Sequence, residues 1–192
     1  MKVKKDSLAL SFAINTTLTI IEFVAGITSG SVALIADGSK NLTDSIMLLV
    51  AILAEKLSGK SKTMNIKIKK YAAVINIAVI SVVAIEVLFE SAAHLLRPEF
   101  VDGRMVTSIG ILAVLLNLSA ALIIQRKKQV AAKAAYWGLI SSALSGLGVF
   151  ASGIVTSVLH TQIFDSSVGI AIAMMLLVVA YRLGSQALLA SD

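Results

Sequence analysis

A chain of 192 residues that is 57% hydrophobic and 15% charged, with a mean hydropathy of +0.91, is too apolar for a water-soluble domain, which sits near half apolar and a quarter charged. Its formal net charge of +6 does not indicate nucleic-acid binding, because the positive residues fall in short loops between apolar segments, a signature of membrane topology. With no cysteine, disulfides and thiolate metal sites are excluded.

The apolar runs predict an all-α integral membrane protein, a single six-transmembrane-helix bundle with spans at about 7–29, 31–57, 71–96, 104–125, 132–159 and 163–184. Each is long enough to cross a bilayer with some tilt. The start "MKVKKD" is basic, but the apolar stretch after it is too long for a cleavable signal peptide and lacks a small-residue cleavage site. The first span carries Asn15 and Glu22, and the short turn at Ser29 and Gly30 makes it a tight hairpin with the second.

The second span contains "ALIADGSKNLTD". Asp37, Lys40 and Asp44, spaced three then four, share one helix face, with Asn41 beside them. Ionisable groups at membrane depth are costly unless paired or wetted, so this group is the leading functional candidate. The following "SGKSKTMNIKIKK" reads as a loop that fixes topology, and binding to anionic lipid headgroups is compatible with that.

The third span carries Asn76, Glu86, Glu90 and His94. The last three recur every four residues, a spacing that suits a row of metal ligands. Their closeness to Arg97 and the loop "RPEFVDGR" favours a polar stripe facing the bundle or the outer interface. Asn117 lies in the fourth span. Asn15, Asn76 and Asn117 suit interhelical hydrogen bonds, each worth about 1 kcal/mol in a membrane, as well as they suit a path lining. The fifth span has no charge between Tyr136 and His160. Its Gly138, Ser142 and Gly146 recur every four residues, with Ser145, Ser152 and Gly153 nearby, a small-residue face that lets two backbones approach. His160, in "LHTQIFD", is expected at the interface, and Asp165 near the outer end of the sixth span.

Lysine and arginine set the sidedness. Lys2, Lys4 and Lys5, then Lys56, Lys60, Lys62, Lys67, Lys69 and Lys70, then Arg126, Lys127, Lys128 and Lys133, then Arg182 fall on one side, against Arg97 and Arg104 on the other. The positive-inside rule places both termini in the cytoplasm, as an even number of spans requires. The plasma (inner) membrane is the expected location.

The stretch "SGSVALIADGSKNLTD" resembles the second-helix motif of the cation diffusion facilitators, which reads roughly SGSxALLADAxHNLxD. The first helix "NTTLTIIEFVAGITSGS", the third helix and loop "AAVINIAVISVVAIEVLFESAAHLLRPEFVDG", and the fifth helix "AAYWGLISSALSGLGVFASGIV" are similar to that family too. Asp165 stands where the family's sixth helix often begins with Asp. The resemblance implies efflux of a divalent cation such as zinc, manganese or iron, commonly in exchange for protons. It also implies a transport site of two residues from helix two and two from helix five, each helix supplying His or Asp and then Asp four residues on. Those positions fall here on Lys40, Asp44, Gly138 and Ser142, so Asp44 is the one metal ligand retained, while Asp37 matches a family Asp that is not a ligand. A single transmembrane domain without the family's cytoplasmic C-terminal domain is the expectation from "ALLASD", and "RKKQVAAK" lacks a His cluster.

With three ligands replaced, two functions compete. One is a cation transporter with an altered site; the other is a non-transporting relative acting as scaffold, partner subunit or regulator. The partners expected are the lipid bilayer and a homodimer or a hetero-oligomer with a related transporter, with no nucleic acid. The favoured role for Lys40 is a charge partner of Asp44 that stands in for the metal, its long side chain filling the space left by Gly138 and Ser142. The competing role is a titrating amine in proton-coupled transport. Transport of an organic cation attracted to Asp37, Asp44 and Glu22 is a further class, without specific support in the sequence. No Walker motif, cysteine nucleophile or paired-His zinc signature suggests an enzyme.

Overall fold

A computed structural model describes residues 7–57, 62–97, 99–128 and 130–189, and those residues form six α-helices. They are α1 Ser7–Ser29, α2 Val32–Leu57, α3 Lys62–Leu96, α4 Gly103–Ile124, α5 Val130–Leu159 and α6 Ile163–Leu189. All but α2 are long and apolar enough to cross a membrane. At 26 residues α2 is also long enough, and what sets it apart is its charges. Large apolar side chains point outward, as a lipid-facing surface requires: Ile27 and Phe89 are each 73% exposed and Trp137 67%.

One expectation needs correction. The lysine-rich segment read as a loop is largely helical, because α3 begins at Lys62 and runs 35 residues. Neither Gly nor Pro interrupts 62–96, so the helix has no local reason to stop where the hydropathy does. Likewise α6 continues to Leu189, past the expected end at 184.

The α1–α2 hairpin closes through Gly30, whose φ of +71° suits glycine. A Cβ there would meet the carbonyl oxygen of Phe100 at 2.5 Å, and the Asp102 amide donates to the Ser29 carbonyl at 2.9 Å. Asp102 also caps α4, accepting from the amides of Arg104 and Met105 at 3.0 and 3.2 Å.

Within the bundle α2 packs against α1, α3, α5 and α6, and α4 packs closely on α5. The small-residue face of α5 divides between two neighbours. Gly146 and Gly153 turn to α4, where Gly146 lies against Ala113 and Val114 and Gly153 against the Thr107 backbone. Gly138 and Ser142 turn instead to Asp44 on α2. Two apolar clusters fill the interior. One includes Leu8, Leu48, Ala120 and Leu139; the other includes Ala25, Ala36, Val106 and Val149. On α1, α2 and α5 the polar residues of the next subsection fall between these two clusters in chain order. The fold therefore buries a polar layer between two apolar ones.

Candidate functional site

The helical spacing that puts Asp37, Lys40 and Asp44 on one face turns that face into the bundle, where they are 0%, 6% and 5% exposed. The Lys40 Nζ lies 3.6 Å from Asp44 Oδ2. It donates to the Ser142 hydroxyl and to the Gly138 carbonyl, the latter at 3.4 Å. The Ser142 hydroxyl in turn donates to Asp44 Oδ2 at 2.5 Å. Gly138 offers no side chain, and a Cβ built there would run into Asp44 Oδ1. The structure thus brings Lys40, Asp44, Gly138 and Ser142 to one point. The ammonium sits between helices two and five, and the serine hydroxyl relays from it to the carboxylate.

One turn of α2 away lies a second polar group. Asn41 Nδ2 donates to Glu22 Oε2 at 2.6 Å, which ties α1 to α2. The Ser145 hydroxyl donates to Asp37 Oδ1, which ties α5 to α2. Asn15 Nδ2 donates to the Asn41 carbonyl at 2.7 Å and to the Ser45 hydroxyl at 2.9 Å. Asn15 is therefore an interhelical bond, one of the two roles weighed for it. Asn117 does not make one: both of its amide atoms are buried without a partner. Asn76 is buried with Oδ1 unpartnered and lines a cavity.

That cavity, of about 410 Å³, reaches from Lys40 and Asp44 past Asn76, Trp137 and Gly138 to Arg182. It extends from the buried pair toward the end of the bundle that carries Lys56, Arg126, Lys133 and Arg182. A second cavity of about 290 Å³ lies at the opposite end, beside Glu99, Arg104, Thr156 and His160.

The Glu86, Glu90 and His94 row does not gather ligands. Glu86 and Glu90 are exposed while His94 is buried, with Glu90 and Glu99 oxygens each 3.6 Å from its Nε2. Among the described residues, no three of His, Cys, Asp or Glu come together as a metal-holding group. His160 is exposed in the link between α5 and α6.

Two residues matter more than sequence reasoning allowed. Ser145, noted only as a small residue, is the partner of Asp37. Asp165 is fully buried and secures the start of α2, accepting from the Ser31 hydroxyl at 2.5 Å and the Ala33 amide at 3.2 Å. The signal for Asp165 was an acidic residue in an apolar span. Its carboxylate neutralises the positive end of the helix that carries the site. Asp165→Ala is expected to lower stability by about 0.5–2 kcal/mol, the cost of losing an N-terminal cap. Thermal unfolding in detergent measures it, and an unchanged midpoint would show that α2 does not depend on this contact.

Residues 8–190 match the cation efflux transmembrane domain family. The chain is 31% identical over 159 residues to the cadmium, cobalt and zinc/H(+)-K(+) antiporter of Bacillus subtilis (strain 168), covering 78% of this chain and 51% of that protein. It is 25% identical over 184 residues to the zinc transporter ZitB of Escherichia coli (strain K12), covering 92% and 59% respectively. It is 26% identical over 178 residues to the metal cation efflux system protein CzcD of Cupriavidus metallidurans (strain ATCC 43123 / DSM 2839 / NBRC 102507 / CH34), covering 89% and 56%. The chain spans between half and two thirds of the length of these relatives.

Proposed function

The chain belongs to the cation efflux transmembrane domain family, and we propose that it is a cation-translocating domain whose transport site is held by its own lysine. The observation that carries this reading is the placement of the Lys40 ammonium against Asp44, Ser142 and the Gly138 carbonyl. These are the positions where the family resemblance puts the metal ligands. The relatives are named as a cadmium, cobalt and zinc antiporter, a zinc transporter and a metal cation efflux protein, and a divalent cation is the substrate class proposed here. Both termini lie in the cytoplasm on this reading, so the cavity beside Arg182 opens inward.

The donor set decides how such a cation is taken. One carboxylate, one hydroxyl and one carbonyl make a poor site for a tetrahedral metal, and a protonated amine repels it. The cation therefore enters only as Lys40 withdraws, and Asp44 is the anion it meets. A buried ion pair is stable only when hydrogen bonds complete it, and Ser142 supplies that bond to both partners. The same closed arrangement favours a second reading, in which Lys40 fills the site permanently and the chain serves as a non-transporting partner subunit.

Zinc and manganese uptake into proteoliposomes, with an internal metal-sensitive dye and a pH gradient, separates the two. Uptake above empty liposomes is expected, falling to their level in Asp44→Asn, which keeps the shape and removes the charge. No uptake of either ion by folded protein overturns transport and leaves the partner-subunit reading.

A further inference from the structure

The polar group beside the lysine contains an imbalance that its hydrogen bonds do not resolve. Glu22, Asp37 and Asn41 are all 0% exposed. Each carboxyl receives one donor: Asn41 Nδ2 at Glu22 Oε2, and the Ser145 hydroxyl at Asp37 Oδ1. The remaining oxygens, Glu22 Oε1 and Asp37 Oδ2, are buried with no partner, and so is Asn41 Oδ1. The two carboxyl groups are close enough to repel each other when both are charged. Gly38 makes this approach possible, since a Cβ there would stand 3.2 Å from the Cβ of Glu22.

Buried acceptors without donors are costly, and two neighbouring carboxylates do not both stay ionised in a low dielectric. Lys40 attracts both of them, but it is committed elsewhere. On α2, Lys40 is engaged by Ser142, Gly138 and Asp44, and Asp44 adds a further negative charge. On α5, no titratable side chain lies between Tyr136 and His160, and on α4 none lies between Met105 and Gln125. On α6, Asp165 is taken up by Ser31 and Ala33 and Arg182 stands at the far part of the cavity; on α3, Glu86 and Glu90 are exposed and His94 lies beside Glu90 and Glu99.

We propose that Glu22 and Asp37 form a proton-binding site, in which one exchangeable proton is shared between Glu22 Oε1 and Asp37 Oδ2. That proton gives both orphaned carboxyl oxygens a partner and leaves one negative charge on the pair. It also adds a tie between α1 and α2 beside the Glu22–Asn41 bond. Its release places two like charges near each other across the α1–α2 interface and drives the helices apart there. The site stands whether or not the chain moves metal. Its use as the counter-ion site of an exchanger rests on the transport reading above, with Lys40 holding the position a metal would otherwise take.

Infrared difference spectroscopy of the full chain in lipid nanodiscs tests the site directly. A protonated-carboxyl stretching band that shifts in heavy water is expected in the wild type at neutral pH. It is expected to disappear in both Glu22→Gln and Asp37→Asn, because either amide supplies the donor that the proton supplied. It is expected to persist in Asp165→Asn. A variant that fails to fold is replaced by wild-type protein labelled with ¹³C in the Asp or the Glu carboxyls, where a band that shifts with neither label would overturn the site. A wild type without the band, or a band unchanged in both variants, would overturn it as well. Absence of the band together with a melting temperature that rises with sodium or potassium would put a monovalent cation there in place of the proton. A band present in protein that takes up no metal keeps this site and removes the transport reading alone.

Discussion

Asp44→Ala is expected to destabilise the folded protein by about 3–5 kcal/mol, the cost of leaving one member of a buried ion pair without its partner. The cost falls on two groups. Lys40 keeps an ammonium that is 6% exposed, and Ser142 loses the acceptor 2.5 Å from its hydroxyl. Replacing both charges by apolar side chains of similar volume, as in Lys40→Met with Asp44→Leu, is expected to restore most of that stability, because neither charge then has to be desolvated. A double-mutant cycle of unfolding in detergent reads the coupling between the two positions. An Asp44→Ala loss near 1 kcal/mol, typical of an ordinary substitution, would show that Lys40 finds its counter-charge elsewhere. The restored double variant also gives a folded protein without charge at the site. Metal uptake by that variant would separate a structural need for the pair from a need for the carboxylate itself.

Much of this arrangement was legible in the chain because it is local. The spacing of Asp37, Lys40 and Asp44 already placed them on one face, and Lys40 and Asp44 meet as an i,i+4 pair. The apolar runs marked the helices for the same reason, since a residue's hydropathy needs no partner to be read. Contacts between helices were not legible in this way. Ser145 reaches Asp37 across 108 residues and Asp165 reaches Ser31 across 134; nothing in spacing announces either. Ser142 was brought to Asp44 only by the family resemblance, and the geometry supplies what the resemblance could not, the hydroxyl between ammonium and carboxylate. The start of α3 was missed because hydropathy reports where a membrane ends, while helix continuation depends on the absence of Gly and Pro. Asn117 suits a hydrogen bond or a path lining equally by its residue type, and only the fold decides: both of its amide atoms are buried without a partner.

The largest gain of function is expected from rebuilding the four positions together. Lys40→His with Gly138→His and Ser142→Asp places two imidazoles and two carboxylates, counting the native Asp44, where the ammonium now sits. Four such donors suit tetrahedral zinc. Position 138 is correctly aimed, because a Cβ there points straight at Asp44 Oδ1. The same contact means that the Asp44 carboxylate must turn aside to admit a side chain. In the wild type Lys40 and Ser142 hold it; in the triple variant both restraints are gone. Lys40→His alone removes the ammonium but leaves helix five without ligands, so tight zinc binding is not expected from it. The triple variant is expected to bind zinc at least about a hundredfold more tightly than that single variant, a step at the upper end of what loss of one supporting partner costs a metal site. Titration of purified protein against a competing zinc chelator reads the difference, with Gly138→Ala as the control for the displaced carboxylate. Equal affinity in the single and triple variants, both folded, would mean that helix five does not present positions 138 and 142 to Asp44 as described. It would thereby remove the reason for placing Lys40 in the seat of a metal.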